Sequence, residues 1–343
     1  MVKFILSRLV IGILVLVSVI LLISSIIYLA PVDPTRLTFG QRSDTATIEA
    51  KKRELGLDKS LTKQLVLYLS DISPIYLGKK NDRFAEHEYL DASIIHLKKP
   101  YLRSSYQTGR EVSVIMSQAI PKTMILALTS FLIAAFFGIL FGIIAAIKKD
   151  GWIDNFILTI TTLGISVPSY VAAVFLALMF GYVWRNFTGL NVQGSIFELN
   201  DIGDNVVVWK NLILPAIALG IRPIAIVTQL TRSAMLDVLH QNYITTAKAK
   251  GLASIRIIMK HALRNTMNPV VTSLTGWLAS LLTGAYFVEK VFNFKGVGEL
   301  TINALVNYDI PVILASVLFI CTVFIVINII TDLAYLLIDP KLR

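Results

Sequence analysis

Charge is scarce in this chain. Asp, Glu, Lys and Arg supply 16% of its 343 residues while 55% are hydrophobic, against about 25% charged residues in an ordinary soluble domain. Together with a mean hydropathy of +0.70, that balance places the chain in a membrane. Cysteine is nearly absent: Cys321 stands alone in an apolar run. No internal disulfide can form, and nothing suggests a disulfide-stapled exported domain. Motifs that carry chemistry are missing too. There is no Gly-x-x-x-x-Gly-Lys-Ser/Thr loop to cradle nucleotide phosphates, no His-Glu-x-x-His and no Gly-x-Ser-x-Gly. His87 and His96 are isolated and read as surface residues, so neither a metal site nor a catalytic residue is expected, and a membrane enzyme is disfavoured.

Long apolar runs, in contrast, are plentiful. A helix crosses a bilayer with about 20 apolar residues, and six stretches qualify: Leu9–Ala30, Thr123–Ile147, Phe156–Val183, Leu212–Leu230, Pro269–Val288 and Pro311–Thr331. The first follows Lys3 and Arg8, as a cleaved signal peptide would. Its run is longer than a usual signal core, and Tyr28-Leu29-Ala30-Pro31 is a poor cleavage site, so it is expected to be a retained span. The expected architecture is an all-α polytopic membrane protein with six spans. Residues 1–30 form the first span, 31–122 a long segment outside the membrane, and 123–343 a five-helix core.

Basic residues set the orientation. Lys3 and Arg8, then Lys148 and Lys149, then Arg232, Lys248, Lys250, Arg256, Lys260 and Arg264, and finally Lys341 and Arg343 fall on one side. The short loops of the other side hold only Arg185, Lys210, Lys290 and Lys295. Both termini are therefore expected in the cytoplasm. The net charge of +10 is accounted for without nucleic acid. In the long segment, Thr47–Leu55 has a helical pattern, and Ser60 is a candidate N-cap for a helix over Leu61–Leu69. Ser73–Pro100 reads as polar and irregular, and Val112–Ala119 as a short helix stopping before Pro121. Gly164 and Pro168 interrupt the third span, while Pro215, Gly220 and Pro223 crowd the fourth. Such breaks persist in a membrane only where protein or a water-filled cavity satisfies the freed backbone groups. The third span leaves kinking and a lined pathway open; in the fourth, where Arg222 joins the breakers, a pathway is the better account.

Residues 232–268 form a cytoplasmic loop whose core, YITTAKAKGLASIRIIMKHALRNTMNP, is basic, helix-prone and too polar to cross a bilayer. Asn242–Lys250 makes one short helix, with Ala247 and Ala249 small enough for close approach by another surface. Gly251 suits a left-handed turn. Ser254 is a candidate N-cap for a second helix ending before Pro269, with Ile255, Ile258, Met259 and Ala262 as its apolar stripe. A helix–turn–helix of this kind either rests on anionic lipid or fits as a peg into a groove on a soluble partner.

This stretch resembles the cytoplasmic coupling loop, the EAA motif, of ABC-importer permeases. Thr245-Thr246-Ala247 occupies the EAA slot and Gly251 follows Ala247 by four residues. The wording TTAKAKGL, with His261-Ala262-Leu263-Arg264-Asn265 and Pro269 behind it, resembles the peptide/nickel (oligopeptide/dipeptide permease B) branch. Leu55–Leu69, Thr108–Thr123, Ile213–Leu239, Val288–Leu300, Asn307–Ile313 and Asn328–Arg343 resemble the same family in the same order, whereas 73–100 looks like an insertion. The resemblance implies the type I ABC importer permease fold and a role in importing di- or oligopeptides, with nickel or a nickel chelate as the alternative. It implies as partners a second homologous permease chain, two cytoplasmic P-loop ATPase subunits that bind ATP and Mg, and an extracytoplasmic substrate-binding protein. No cofactor belongs to this chain. Thr245, Thr246, Ala247, Lys248, Gly251, Ile258 and His261 would couple to the ATPases. The other class, an ion-coupled secondary transporter, would want intramembrane carboxylates, and none of the six runs holds one.

Charge in the spans adds candidates. Arg222 is the only charged residue in the six runs. A charge at mid-bilayer costs about 2.5–3.5 kcal/mol on insertion scales, so it faces a cavity or a partner. Arg222 either lines the path, with Pro168, Ser169 and Pro223 as neighbours and a peptide carboxylate as its attraction, or pairs with an acidic residue of the second permease. Glu289 and Asp309, flanking the link before the sixth span, either cap local structure or offer a contact surface to the binding protein.

Overall fold

A computed structural model describes residues 2–29, 49, 52–53, 58–77, 90–92, 95–200 and 202–338. They divide into two compact units, Met1–Ala119 with Leu300–Thr322, and Ile120–Glu299 with Val323–Arg343. The helix expected over Thr47–Leu55 lies mostly outside the described residues.

In the first unit, α1 (Val2–Leu29) is followed by α2 (Leu61–Ile72). Ser60 does hold the N-cap position of α2, but its hydroxyl makes no capping bond. Ser73–Pro100 is not wholly irregular. It carries three short antiparallel strands, β1 (Ile75–Leu77), β2 (Leu90–Ala92) and β3 (Ile95–Leu97), in the order β1-β3-β2. Strands of three residues have too little pattern to stand out in a polar sequence. Beside them, Arg103 pairs with Asp71 at 2.8 Å and lies over the Tyr68 ring. Tyr68, Tyr106, Ile20, Ile310 and Leu314 make this unit's core.

The second unit is a helix bundle. It comprises most of α3 (Val112–Ile147), α4 (Trp152–Ser166), α5 (Ser169–Val183, a π-helix from Ala177), β4 (Phe197–Leu199) paired with β5 (Asn205–Val207), α6 (Lys210–Leu239), α7 (Asn242–Ala249) and α8 (Ser254–Phe292). After it come α9 (Val297–Val306) and α10 (Ile310–Ile338), and α10 ends in this unit. Among the described residues, five helices have the length and apolarity to cross a membrane, and the bent pair α4–α5 brings the number to six when it is counted as one broken span. The bend is 107°, at Val167 and Pro168, which leave the helical conformation; Pro168 interrupts the span as the sequence anticipates, whereas Gly164 stays helical inside α4.

The breaks expected at four prolines do not occur. Pro121 lies inside α3, Pro215 and Pro223 inside α6, and Pro269 inside α8. A proline removes one backbone bond and tends to kink a helix, and at Pro121 and Pro269 buried residues on both flanks (Ala119 and Thr123, Thr266 and Val270) hold the helix together across it. At about 1.5 Å per residue, the 36 residues of α3 overshoot a hydrocarbon core of about 30 Å, so the short helix expected over Val112–Ala119 is the projecting end of this span.

α6 is the axis of the second unit. Its buried face carries Ala216, Ala218, Gly220 and Ala225, small residues that let neighbouring backbones approach. The closest approach is to α3: a Cβ on Gly138 would lie 2.7 Å from Val227 Cβ, and one on Gly142 would lie 2.5 Å from Thr231 Cβ. Gly142→Leu should therefore separate α3 from α6. The expected outcome is a loss of about 1–3 kcal/mol, seen as a lowered unfolding temperature in detergent, with Gly142→Ala intermediate.

Candidate functional site

The bend between α4 and α5 brings the start of α5 against the middle of α6 and α8. There they enclose a cavity of about 440 Å³, lined by Ser169, Leu219, Arg222, Pro223, Trp277, Ser280, Leu281, Thr283, Gly284 and Phe324. Three of the four path candidates, Ser169, Arg222 and Pro223, meet here, and Pro168 stands at the bend beside them. The Arg222 guanidinium lies 5.9 Å from the centroid of the Trp277 ring, within cation–π range. Trp277, Ser280, Leu281 and Gly284 were not anticipated. Their spacing of three, one and three residues marks one helical face, a signal the sequence carries in GWLASLLTG.

Past the cavity, α6 leads into the helix–turn–helix. Gly251 has φ +75° with nothing within 4 Å of where a Cβ would stand. The turn is closed by Gly251 N–H donating to Lys248 O and Leu252 N–H to Ala247 O. Asn265 Nδ2 donates to Tyr243 Oη at 2.7 Å, tying the second arm to the first. Thr245, Thr246, Lys248 and Gly251 are exposed, and Ile258 and His261 are half-buried.

Three details of this loop differ from the sequence expectation. Ala253, not Ser254, holds the cap position, and Ser254 is the first helical residue. Ala247 turns inward, buried with Ile244, Met235, Ile257 and Ala262, so its small size serves the hairpin's own core. The inward stripe is Ile257 and Ala262, with Ile258 partly covered, while Ile255 and Met259 are 68% and 53% exposed. The cause is a π-helical stretch over Ile257–Ala262. Its i→i+5 winding aligns residues five apart, which a 3.6-residue period misassigns.

An ion pair fixes the root of this loop. Arg232 Nε and Nη2 donate to Asp154 Oδ1 and Oδ2, both at 2.6 Å, and the Asp154 side chain is 1% exposed. Asp154 also accepts the Asp150 N–H at 2.9 Å. The pair staples the first turn of α4 to the end of α6 that feeds the hairpin. Sequence reasoning had used Arg232 only as a topology marker, because a bidentate partner 78 residues away leaves no local pattern.

The two carboxylates of the α8–α10 link are not a surface. Glu289 is fully buried: its carboxylate accepts from Thr123 Oγ1 at 2.7 Å and from the N–H groups of Gly298 and Glu299 at 2.8 and 3.1 Å. It thus caps the N-terminus of α9. Asp309 is 4% exposed and accepts from the Tyr106 N–H at 3.0 Å and from the Ser105 hydroxyl. Of the alternatives left open by the sequence, the geometry gives Glu289 a capping role and Asp309 a bond to the loop at Ser105 and Tyr106.

The second unit is thus a mostly helical bundle with a cavity among its spans and a helical hairpin between two of them, an arrangement suited to a membrane permease. The chain belongs to the family of binding-protein-dependent transport system inner membrane components: that family's model matches residues 138–343, and the model of its N-terminal region matches residues 1–127. The di/tripeptide transport system permease protein of Pseudomonas aeruginosa (strain UCBPP-PA14) is 32% identical over 100% of this chain and 99% of its own length. The dipeptide transport system permease protein of Bacillus subtilis (strain 168) is 32% identical over 84% of this chain and 81% of its own. A chain of the MetNI methionine ABC transporter, solved in an inward-facing conformation, superposes with a TM-score of 0.54 at 14% identity, covering 66% of this chain and 97% of that one. The fold is that of type I ABC importer permeases, and the protein is a multi-pass inner-membrane component.

Neutralising one partner of the Arg232–Asp154 pair leaves a shielded charge unmatched. Asp154→Asn should cost about 3 kcal/mol, read as a lowered unfolding temperature of the purified chain, and the charge exchange Asp154→Arg with Arg232→Asp should restore part of it.

Proposed function

We propose that this chain is one half of the membrane core of an ATP-driven importer of short peptides, coupled to its motor through the hairpin at 243–269. The motor consists of two cytoplasmic P-loop ATPase subunits, which bind the ATP and Mg. A second homologous permease completes the pathway and an extracytoplasmic binding protein delivers the substrate, so this chain needs neither a cofactor nor an ATPase site of its own. Peptides are favoured as substrate because the relatives with full-length similarity are named for them, and nickel is not favoured. The basic hairpin and both termini face the cytoplasm, following the asymmetry of Lys and Arg.

One observation carries the coupling. The hairpin's second arm and the span that lines the cavity are a single helix, α8, of 39 residues. With no break at Pro269, the arm and the cavity-lining Trp277 and Thr283 belong to one continuous helix, along which a push on the arm can reach the cavity. The exposed Ile255 and Met259, beside exposed Thr245, Thr246 and Lys248, offer a compact knob with a polar edge, the shape that helix-in-groove recognition uses. A surface resting on lipid would gain nothing from an obligatory left-handed turn.

Gly251→Val forces a β-branched residue to φ +75°, at about 1–2 kcal/mol of backbone strain, and misdirects the knob. ATP-dependent peptide uptake by the complete complex in proteoliposomes should be lost while the protein still inserts and purifies. Ile255→Asp should release the ATPase subunits during co-purification. Unchanged uptake in Gly251→Val would return the hairpin to the lipid surface.

A further inference from the structure

Among the described residues, Arg222 has no acidic partner. Among the described residues no carboxylate lines its cavity, and its one ring contact is with Trp277. A guanidinium presents a planar fork of donors matched to a two-oxygen anion. The hydroxyls around it are uncommitted as well. Thr228, Thr272, Thr275 and Thr322, on the same helices, each donate to a backbone carbonyl three or four residues earlier. Among the described residues, Ser169, Ser280 and Thr283 make no such bond and border the cavity instead. Ser169 is also the first residue of the half-span that starts at the bend, and the start of a helix carries positive partial charge. Leu219, Leu281 and Phe324 supply an apolar wall, and about 440 Å³ is room for one end of a peptide rather than for a long chain.

We infer that this cavity is a transit subsite for the C-terminal carboxylate of a short peptide. Arg222 takes the two carboxylate oxygens, Ser280 and Thr283 donate to the same group, and the apolar wall with the Trp277 ring accepts the last side chain. With a cation and no anion in its lining, the subsite favours the carboxylate end over the ammonium end, so it orients the peptide as well as holding it. This assignment rests on the importer function proposed above.

The test uses the complete complex in proteoliposomes at saturating binding protein, preloaded with a tripeptide or with the same tripeptide amidated at its C-terminus; loading is verified separately. Initial ATP-dependent uptake should favour the free acid by about tenfold, the weight of one lost charged hydrogen-bonding partner. R222Q should slow the free acid about tenfold and bring the amide within about twofold of it, and S280A with T283V should compress the ratio in the same direction. Equal slowing of both peptides by R222Q, or loss of the second permease chain from the purified R222Q complex, would overturn the subsite in favour of a structural ion pair between subunits. If R222Q does not assemble for want of folding, the S280A/T283V complex decides, an unchanged acid-to-amide ratio overturning the proposal. A wild-type complex that moves neither peptide would overturn the importer reading itself, a result distinct from transport without discrimination.

Discussion

Backbone proximity at α6 is the constraint on which the second unit depends. Within hydrocarbon no hydrophobic force draws one helix to another, so association comes from close van der Waals contact, and that contact is available only where side chains are small. Gly138 and Gly142 on α3 admit Val227 and Thr231, and the alanines of α6 admit its other neighbours. The hairpin's root, the cavity wall and the ion pair with α4 all hang on this one helix. A transporter that must change shape and yet never expose backbone to lipid is well served by a central helix whose contacts are many, individually weak and without directional preference.

The directional interactions lie at the ends. Asp154 with Arg232 closes one end of α6, and Glu289 with Thr123 and the first N–H groups of α9 organises the link beyond α8. Each is an ionisable group withdrawn from water and fully partnered, the condition under which burial of such a group is tolerated. Around Glu289 the geometry is tight: a Cβ on Gly296 would run into the Glu289 carboxylate, and one on Gly298 would stand 2.5 Å from Tyr286 Cα. Gly296 therefore leaves room for the carboxylate, and Gly298 for the backbone of α8.

Much of this was legible from composition and spacing. Six apolar runs foretold the crossings, Pro168 located the bend, and the lone intramembrane charge led to the cavity. What stayed hidden has physical causes. Pro121 and Pro269 look like stops because a local rule cannot see the packing on both flanks. The hairpin's inner face was misassigned because Ile257–Ala262 winds with a longer period than an α-helix. For Glu289 and Asp309 the choice between capping and a contact surface stayed open, because their partners, Thr123 and Ser105, are far away in sequence. The strands over 75–97 were too short to register. The partners of long-range polar contacts are the kind of information a single sequence does not expose.

Pro223 gives α6 an uneven stiffness. It lacks an N–H, so the bond that would reach the Leu219 carbonyl is missing, and both residues border the cavity. The end of the same helix is clamped by Arg232. A rod held at one end and thinned in its middle flexes at the thin point. In the importer proposed above, torque entering through the hairpin would therefore bend α6 at the cavity wall, and the motor would work on the shape of the cavity rather than on the bundle as a whole.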